Sequence, residues 1–251
     1  MNFSMTSAQY PFEPVTFTPI AHIQSPFKQR YGVPRQPGLA RNAVGLIQFK
    51  KDPDLKSALK TIEQFSHLWL VFVFHQHGGK KWKPSIRPPR LGGRTKVGVL
   101  ASRSPHRPNP IGISVVKINK VDLENPQGPS IEVQGLDLLD GTPVLDVKPY
   151  IPYADAVPEA IAGWATPPIN RLAVTYSKEA LLFLQTHSQP TSPLQDLITE
   201  ILELDPRPAY LQREEPATSP HFWNKTYGIE ISGFEVKYTF NADGILVLSI
   251  Q

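Results

Sequence analysis

Between residues 15 and 151 the chain lays down seven short apolar runs: VTFTPIAHI, NAVGLIQF, HLWLVFVF, KVGVLAS, GISVVKINKV, SIEVQGLDLL and PVLDVKPYI. They are rich in Val, Ile and Phe, and clusters of Gly, Pro or polar residues part them, which is the pattern of strands and turns. Only one helical stretch intervenes, DLKSALKTIEQF at about 54–65, with Leu55, Leu59, Ile62 and Phe65 on one face. So little helix leaves no crossovers for a parallel sheet, and there is no Gly-rich first turn of a dinucleotide-binding fold. The pattern predicts a mainly β protein whose first part, 15–153, is a small closed or nearly closed antiparallel β-barrel.

From residue 154 the character changes. YADAVPEAIAGWATPPIN is a Pro/Ala-rich connector, RLAVTYS predicts a strand, and KEALLFLQTHS and SPLQDLITEILEL predict helices. The second helix carries start signals in Ser192 as cap, Pro193 at the first helical position and Gln195 completing a capping box. The last 25 residues read as strands with a hairpin turn at Asn241–Gly244. Residues 154–251 therefore predict a smaller α+β domain.

Charge divides along the same line. Up to Tyr153 there are 20 Lys+Arg against 10 Asp+Glu, and from Ala154 onward 6 against 12, which together give the formal net charge of +4. Eleven cations and no carboxylate lie between Glu63 and Asp122. An uncompensated basic stretch predicts a polyanionic partner, the alternative being a solvated basic face. Cysteine is absent from all 251 residues, which excludes disulfides and thiol catalysis. No apolar run approaches the length of a membrane span, and the N-terminus lacks the pattern of a secretory signal, so a cytoplasmic location is expected. There is no Walker loop, no His-Glu-x-x-His run and no serine-nucleophile elbow, and His75 with His77 alone do not make a metal set, so no metal is expected.

What remains is a set of stiff polar loops after apolar strands: YGVPRQPGLA (31–40), FHQH (74–77), RPPRLGGRTK (87–96), SRSPHRPNPIG (102–112) and QGLDLLDGTPVLDVKPY (134–150). Each joins proline to Arg, Asn, Gln or Asp. Proline fixes φ and lowers the entropy lost on ordering, so such loops present groups to a ligand as well as connecting strands.

PIAHIQSPF, VPRQPG, FSHLWLVFVFH, RPPRLGG, SRSPHRPNPIG and LDLLDGTPVLDVKPY occur in this order, and DPRPAY follows. Together they resemble the TsaA-like, or TrmO, family of tRNA methyltransferases. The resemblance implies a β-barrel enzyme that takes its methyl group from S-adenosyl-L-methionine. It implies a homodimer with the site near the subunit contact. Its substrate would be the anticodon loop of tRNA, at the adenosine beside the anticodon that already carries a threonylcarbamoyl group, methylated on N6.

By the same resemblance, Pro34, Arg35, Gln36, His75, Gln76, Arg103, Ile113, Gln134, Gly135, Leu136 and Asp137 are expected to contact the methyl donor. A carboxylate such as Asp137 or Asp140 suits the donor's ammonium or ribose hydroxyls, although Asp140-Gly141 is also a good turn pair. Asn109 is a candidate for accepting the reacting N–H, an Asx turn being the alternative. Arg103 and Arg107 are candidates for reading the threonylcarbamoyl carboxylate, since an arginine fork matches that group. Lys81, Arg87, Arg90 and Arg94 are expected to meet RNA phosphates. Arg207 and Tyr210 of DPRPAY are expected to extend the RNA contact, or else to fix the interface between domains. A non-enzymatic RNA-binding barrel, with Trp69, Phe72 and Phe74 as stacking surfaces, stays open as the rival function.

Overall fold

The computed structural model describes residues 13–76, 81–166, 169–187, 193–207, 217, 219–223 and 225–251. Six strands close a barrel: β1 (Ala21–Gln24), β2 (Val44–Phe49), β3 (His67–Val73), β6 (Ile111–Asp122), β7 (Ser130–Gln134) and β8 (Pro143–Pro149). Their order around the barrel is β1-β2-β7-β6-β3-β8, and β8 closes on β1 through the pairs Ala21↔Val144 and His22↔Pro143. Every contact between neighbours is antiparallel.

Alternation drives the closure. In β3, Leu68, Leu70 and Phe72 are buried while His67, Trp69, Val71 and Val73 face outward. The inward set meets Ile23, Ile47, Phe49, Val116, Ile131, Val133 and Val144, all nearly inaccessible to solvent. Closing the sheet on itself leaves no edge to pair with another chain.

Two predicted strands and one helix differ. VTFTPI stays exposed and unpaired up to Pro19, which has no N–H to donate, and pairing begins only as Ile20 donates to Val144 O. KVGVLAS does not enter the barrel. Within it, β5 (Val97–Gly98) pairs only with β4 (Ser85–Ile86), and Val99–Ala101 form a 3-10 turn. Prolines at 84, 88 and 89 deny this excursion the N–H groups a ladder needs. The helix of 54–65 is shorter. Asp52 caps α1 (Pro53–Ala58) with Pro53 in its first turn, but Thr61 at φ 69 breaks it and Ile62–Gln64 continue as a 3-10 turn.

After α2 (Pro152–Asp155), the second part is a four-stranded sheet ordered β10 (Tyr227–Ile231), β11 (Phe234–Asn241), β12 (Gly244–Ile250), β9 (Ala173–Tyr176). The hairpin at Asn241–Gly244 forms as expected, and β9 joins β12 in parallel. Helices α3 (Lys178–His187) and α4 (Leu194–Leu202) cover it, α4 burying Leu194, Leu197, Ile198, Ile201 and Leu202. The expected cap of α4 is corrected: Pro193 is itself the N-cap, makes no side-chain cap bond, and Ser192 lies outside the described residues. Instead Ser177 caps α3, its Oγ accepting from Ala180 N at 3.0 Å.

Candidate functional site

Antiparallel pairing decides where the loops go. Gln24 pairs with Leu46, Val44 with Gln134, Val73 with Ile111, and Phe72 with Val144. The connections 25–43, 74–110 and 135–142 therefore all emerge at one rim of the barrel. Segments 50–66 and 123–129 turn at the other. Of the polar stretches singled out in the sequence, 31–40, 74–76, 87–96, 102–112 and the 134–142 part of the fifth map onto that first rim, while residues 143–149 of the fifth form β8 itself.

Hydrogen bonds tie the rim together. Gly135, at φ +82, ends β7, and its carbonyl accepts from Gly38 N at 2.9 Å. A side chain would be strained at that φ, and the glycine lets the two backbones meet. Gly135 and Leu136 both donate to Ala43 O. Arg103 Nη1 donates to Gln36 Oε1 at 2.6 Å, joining the 102–112 loop to the 31–40 loop. Arg30 Nε donates to Gln76 Oε1 at 2.8 Å, and His75 Nδ1 lies 3.4 Å from Thr142 Oγ1. Within its own loop Arg107 Nη1 donates to Ser102 O at 3.1 Å.

Asp137 carries a carboxylate of this rim with a raised pKa. Ser114, fully buried on β6, donates from Oγ to Asp137 Oδ1 at 2.6 Å. Burial pushes the Asp137 carboxyl up to about 6, against the opposing pull of Ser114, the local backbone and the Arg103 charge. His75 is held below the usual histidine value by burial and by the Arg30 charge, so its ring favours the neutral form. Arg35 keeps a solvent-facing side yet is crowded by protein. That crowding pulls its pKa down, and the Asp205 carboxylate pulls it back.

Asn109 is exposed at the turn into β6, its carbonyl accepting from Ile111 N at 2.7 Å, while Pro110 O accepts from Phe74 N at 2.8 Å. Lys81, Arg87, Arg90 and Arg94 are all exposed on the 81–101 excursion. Lys83 N, donating to His106 O at 3.0 Å, fixes that excursion beside the 102–112 loop.

Three expectations change. Arg207 is 2% exposed, so it is not a surface contact for RNA. It pairs with Asp205 through Nε and Nη2, and its guanidinium lies 4.4 Å from the Phe222 ring centre and 5.1 Å from that of Phe240. Tyr210, like His77, lies outside the described residues. Ile113 lies on the opposite strand face to Ser114 and is 49% exposed, open to solvent. Asp140 takes the turn role: burial raises its pKa, but Lys28 at 2.8 Å and the Ser25 amide win and hold it below the usual range. Phe72 is buried and packs edge-on against Phe74 at 5.1 Å, so it offers no free stacking face, and Trp69 packs on Tyr150.

Sequence reasoning missed Ser114, whose position in the apolar run GISVVKI marked it only as strand. Its signal was a small hydroxyl at an inward position of an otherwise apolar alternation. It also missed Tyr31 and Tyr238, whose hydroxyls lie 2.6 Å apart across 207 residues of sequence.

Residues 22–156 match the family described as tRNA-methyltransferase O N-terminal domain, and residues 169–251 match the TrmO C-terminal domain. A relative in Escherichia coli K12, named tRNA (adenine(37)-N6)-methyltransferase, is 39% identical over 94% of this chain and 97% of its own. One in Pseudomonas aeruginosa, named as a putative S-adenosylmethionine-dependent methyltransferase, is 42% identical over 93% and 96%. A crystal structure of TrmO from Pseudomonas aeruginosa superposes with a TM-score of 0.76 at 36% identity, covering 95% of this chain and 99% of that one.

Proposed function

This chain belongs to the tRNA-methyltransferase O family and is an S-adenosylmethionine-dependent tRNA (adenine-N6)-methyltransferase of position 37, and we propose that the adenosine it takes already carries a threonylcarbamoyl group. The observation that carries this reading is the convergence of Gln36, Arg103 and Asp137 at one barrel rim, beside a cationic excursion. The donor set fits S-adenosylmethionine. A carboxylate held half-buried at a cost in its own solvation suits the ammonium or ribose hydroxyls of a cationic ligand, which returns part of that cost on binding. Pro34–Gln36 and Gln134–Asp137 bring backbone groups and amides to the same place, and Gln76 supplies an amide for the adenine edge.

When bound, the cofactor supplies an electrophilic methyl group on sulfonium. The protein's part is positioning. Gln36, itself braced by Arg103, and Asp137, braced by Ser114, fix the donor's pocket. Asn109, through its side-chain or backbone carbonyl, accepts the N–H of the reacting nitrogen and localises its lone pair. Arg103 and Arg107 present cationic forks to the threonylcarbamoyl carboxylate. Lys81, Arg87, Arg90 and Arg94 face the phosphates of the anticodon loop and add affinity without reading sequence.

A homodimer is part of the same reading. The outward faces of β3 and β6 place Trp69 beside Val115, Val71 beside Ile113 and Val73 beside Ile111, an apolar strip that another subunit would cover. The substrate makes the cytoplasm its place of action. The reading is tested by incubating purified protein with S-adenosylmethionine and tRNA that carries or lacks the threonylcarbamoyl group, then weighing the nucleosides by mass spectrometry. A gain of one methyl group on the threonylcarbamoylated nucleoside is expected. Equal methylation of the unmodified adenosine would overturn the substrate assignment.

A further inference from the structure

The stretch Pro34–Gln36 is held from two sides. On its C-terminal side, Gly38 is tied to Gly135 of the barrel and Gln36 to Arg103. On its N-terminal side the holding partner is the second domain. Tyr31 and Tyr238 share a hydroxyl–hydroxyl hydrogen bond of 2.6 Å, and Tyr238 is completely buried on β11. Gly32, at φ +85, lies against β10 and α4 so closely that a Cβ there would fall 2.2 Å from Ile229 Cδ1 and 3.6 Å from Ile201 Cγ2. Glu200 of α4 accepts from both Asn42 N at 2.8 Å and Asn42 Nδ2 at 3.1 Å, closing the far end of the loop, and Ser232 N donates to Pro26 O at 3.0 Å at its start. The buried Asp205–Arg207 pair sits behind the same contact, near enough for both charges to act on the Tyr31 hydroxyl.

From this arrangement we propose that the C-terminal domain is a clamp on the 31–36 loop, with Tyr238, acting through Tyr31, as a positioning residue for the methyl-donor pocket. The inference rests on the assignment of Pro34–Gln36 to that pocket. It gives an acidic domain a task that needs no contact with RNA. It also gives Arg207 a role in keeping with its burial: packed against the Phe222 and Phe240 rings and paired with Asp205, it stiffens the surface that the loop leans on. Loosening the loop on one side leaves Gln36 less often in place, which weakens donor binding without altering the cationic excursion that meets tRNA.

The test uses the full-length protein and three variants, Tyr238→Phe, Tyr31→Phe and the pair together. Each keeps its ring and loses a hydroxyl, so packing survives. S-adenosylmethionine affinity is measured by calorimetry, and the KM values for donor and tRNA by steady-state methylation. One lost hydrogen bond predicts donor binding weakened about 3- to 10-fold in each single variant. The double variant should be no weaker than the worse single one, because the two hydroxyls make one bond. KM for tRNA stays within about twofold. Unchanged donor affinity in all three variants overturns the clamp. So does a rise confined to the KM for tRNA, which would make the domain an RNA platform. Wild-type protein that binds no donor at all would instead remove the function on which the clamp rests.

Discussion

Lowering the pH should weaken donor binding through one side chain, Asp137. Its carboxyl is held at about 6, chiefly by burial. The ionised fraction then falls from about ten parts in eleven at pH 7 to about one in eleven at pH 5, by ordinary titration around that value. If the ionised form is what receives the cationic donor, affinity drops about tenfold across that window, about 1.4 kcal/mol. Calorimetry of S-adenosylmethionine binding at half-unit steps gives the curve directly. Asp137→Asn should bind weakly and flatten it. Ser114→Ala should move the inflection upward, because the hydrogen bond from Ser114 stabilises the ionised form. Affinity that is level from pH 5 to 7 in the wild type, or an unchanged slope in Asp137→Asn, refutes the reasoning.

The same group predicts a stability change of opposite sense. Its folded pKa lies above the unfolded value of 3.8, so the folded state holds the proton more readily. Asp137 therefore costs nothing at low pH, begins to subtract stability as pH rises through 3.8, and carries its full penalty above about 6. Asp137→Asn should raise Tm at pH 7.5 by a few degrees and leave it nearly unchanged at pH 4. A residue that lowers stability while serving the site is the trade expected of functional groups.

Four further outcomes follow from the geometry. Arg207→Met leaves the Asp205 carboxylate without its buried partner and should cost about 3 kcal/mol, lowering Tm by about 10 °C, while the salt dependence of tRNA binding stays unchanged. Neutralising Lys81, Arg87, Arg90 or Arg94 one at a time should reduce the slope of log affinity against log salt by about 0.7–0.9 each, read by filter binding. Gly112→Ala would place a Cβ 2.3 Å from Phe72 Cζ and 2.5 Å from its Cε2 in the closed core, and should cost about 1–3 kcal/mol in chemical denaturation. Asn109→Ala should lower kcat and leave donor affinity nearly intact; unchanged turnover would remove its role.

The barrel was legible because its signal is local: short runs rich in Val, Ile and Phe are parted by Gly, Pro and polar clusters, whereas HLWLVFV is apolar at nearly every position and did not show which of its faces would be buried. The rim was legible for the same reason, since Pro, Gly and Arg crowd into the turns that all leave one end. The failures are non-local. Whether KVGVLAS pairs within the barrel depended on whether β8 would already occupy the edge of β3, and nothing in that run states it. Ser114 gains its meaning only when Asp137 is folded over it from 23 residues away. Arg207 looked like an exposed basic residue in a proline-rich loop, because sequence shows the charge and not the Phe222 and Phe240 rings packed against it.

That last case bears on how the two domains divide their work. The cationic stretch from 81 to 120 belongs to the barrel, and among the described residues the acidic domain places Arg207 in its own interior. A domain meant to grip RNA would spend such a side chain at its surface, where each phosphate contact releases counterions. Here it pairs with Asp205 near Tyr31, whose hydroxyl bond to Tyr238 holds one end of the 31–36 loop. If the excursion meets RNA and the clamped loop meets the methyl donor, affinity for the polyanion and precision at the donor site lie on different surfaces, and substitutions should separate them: changes in the excursion should move salt dependence, changes in the clamp donor affinity.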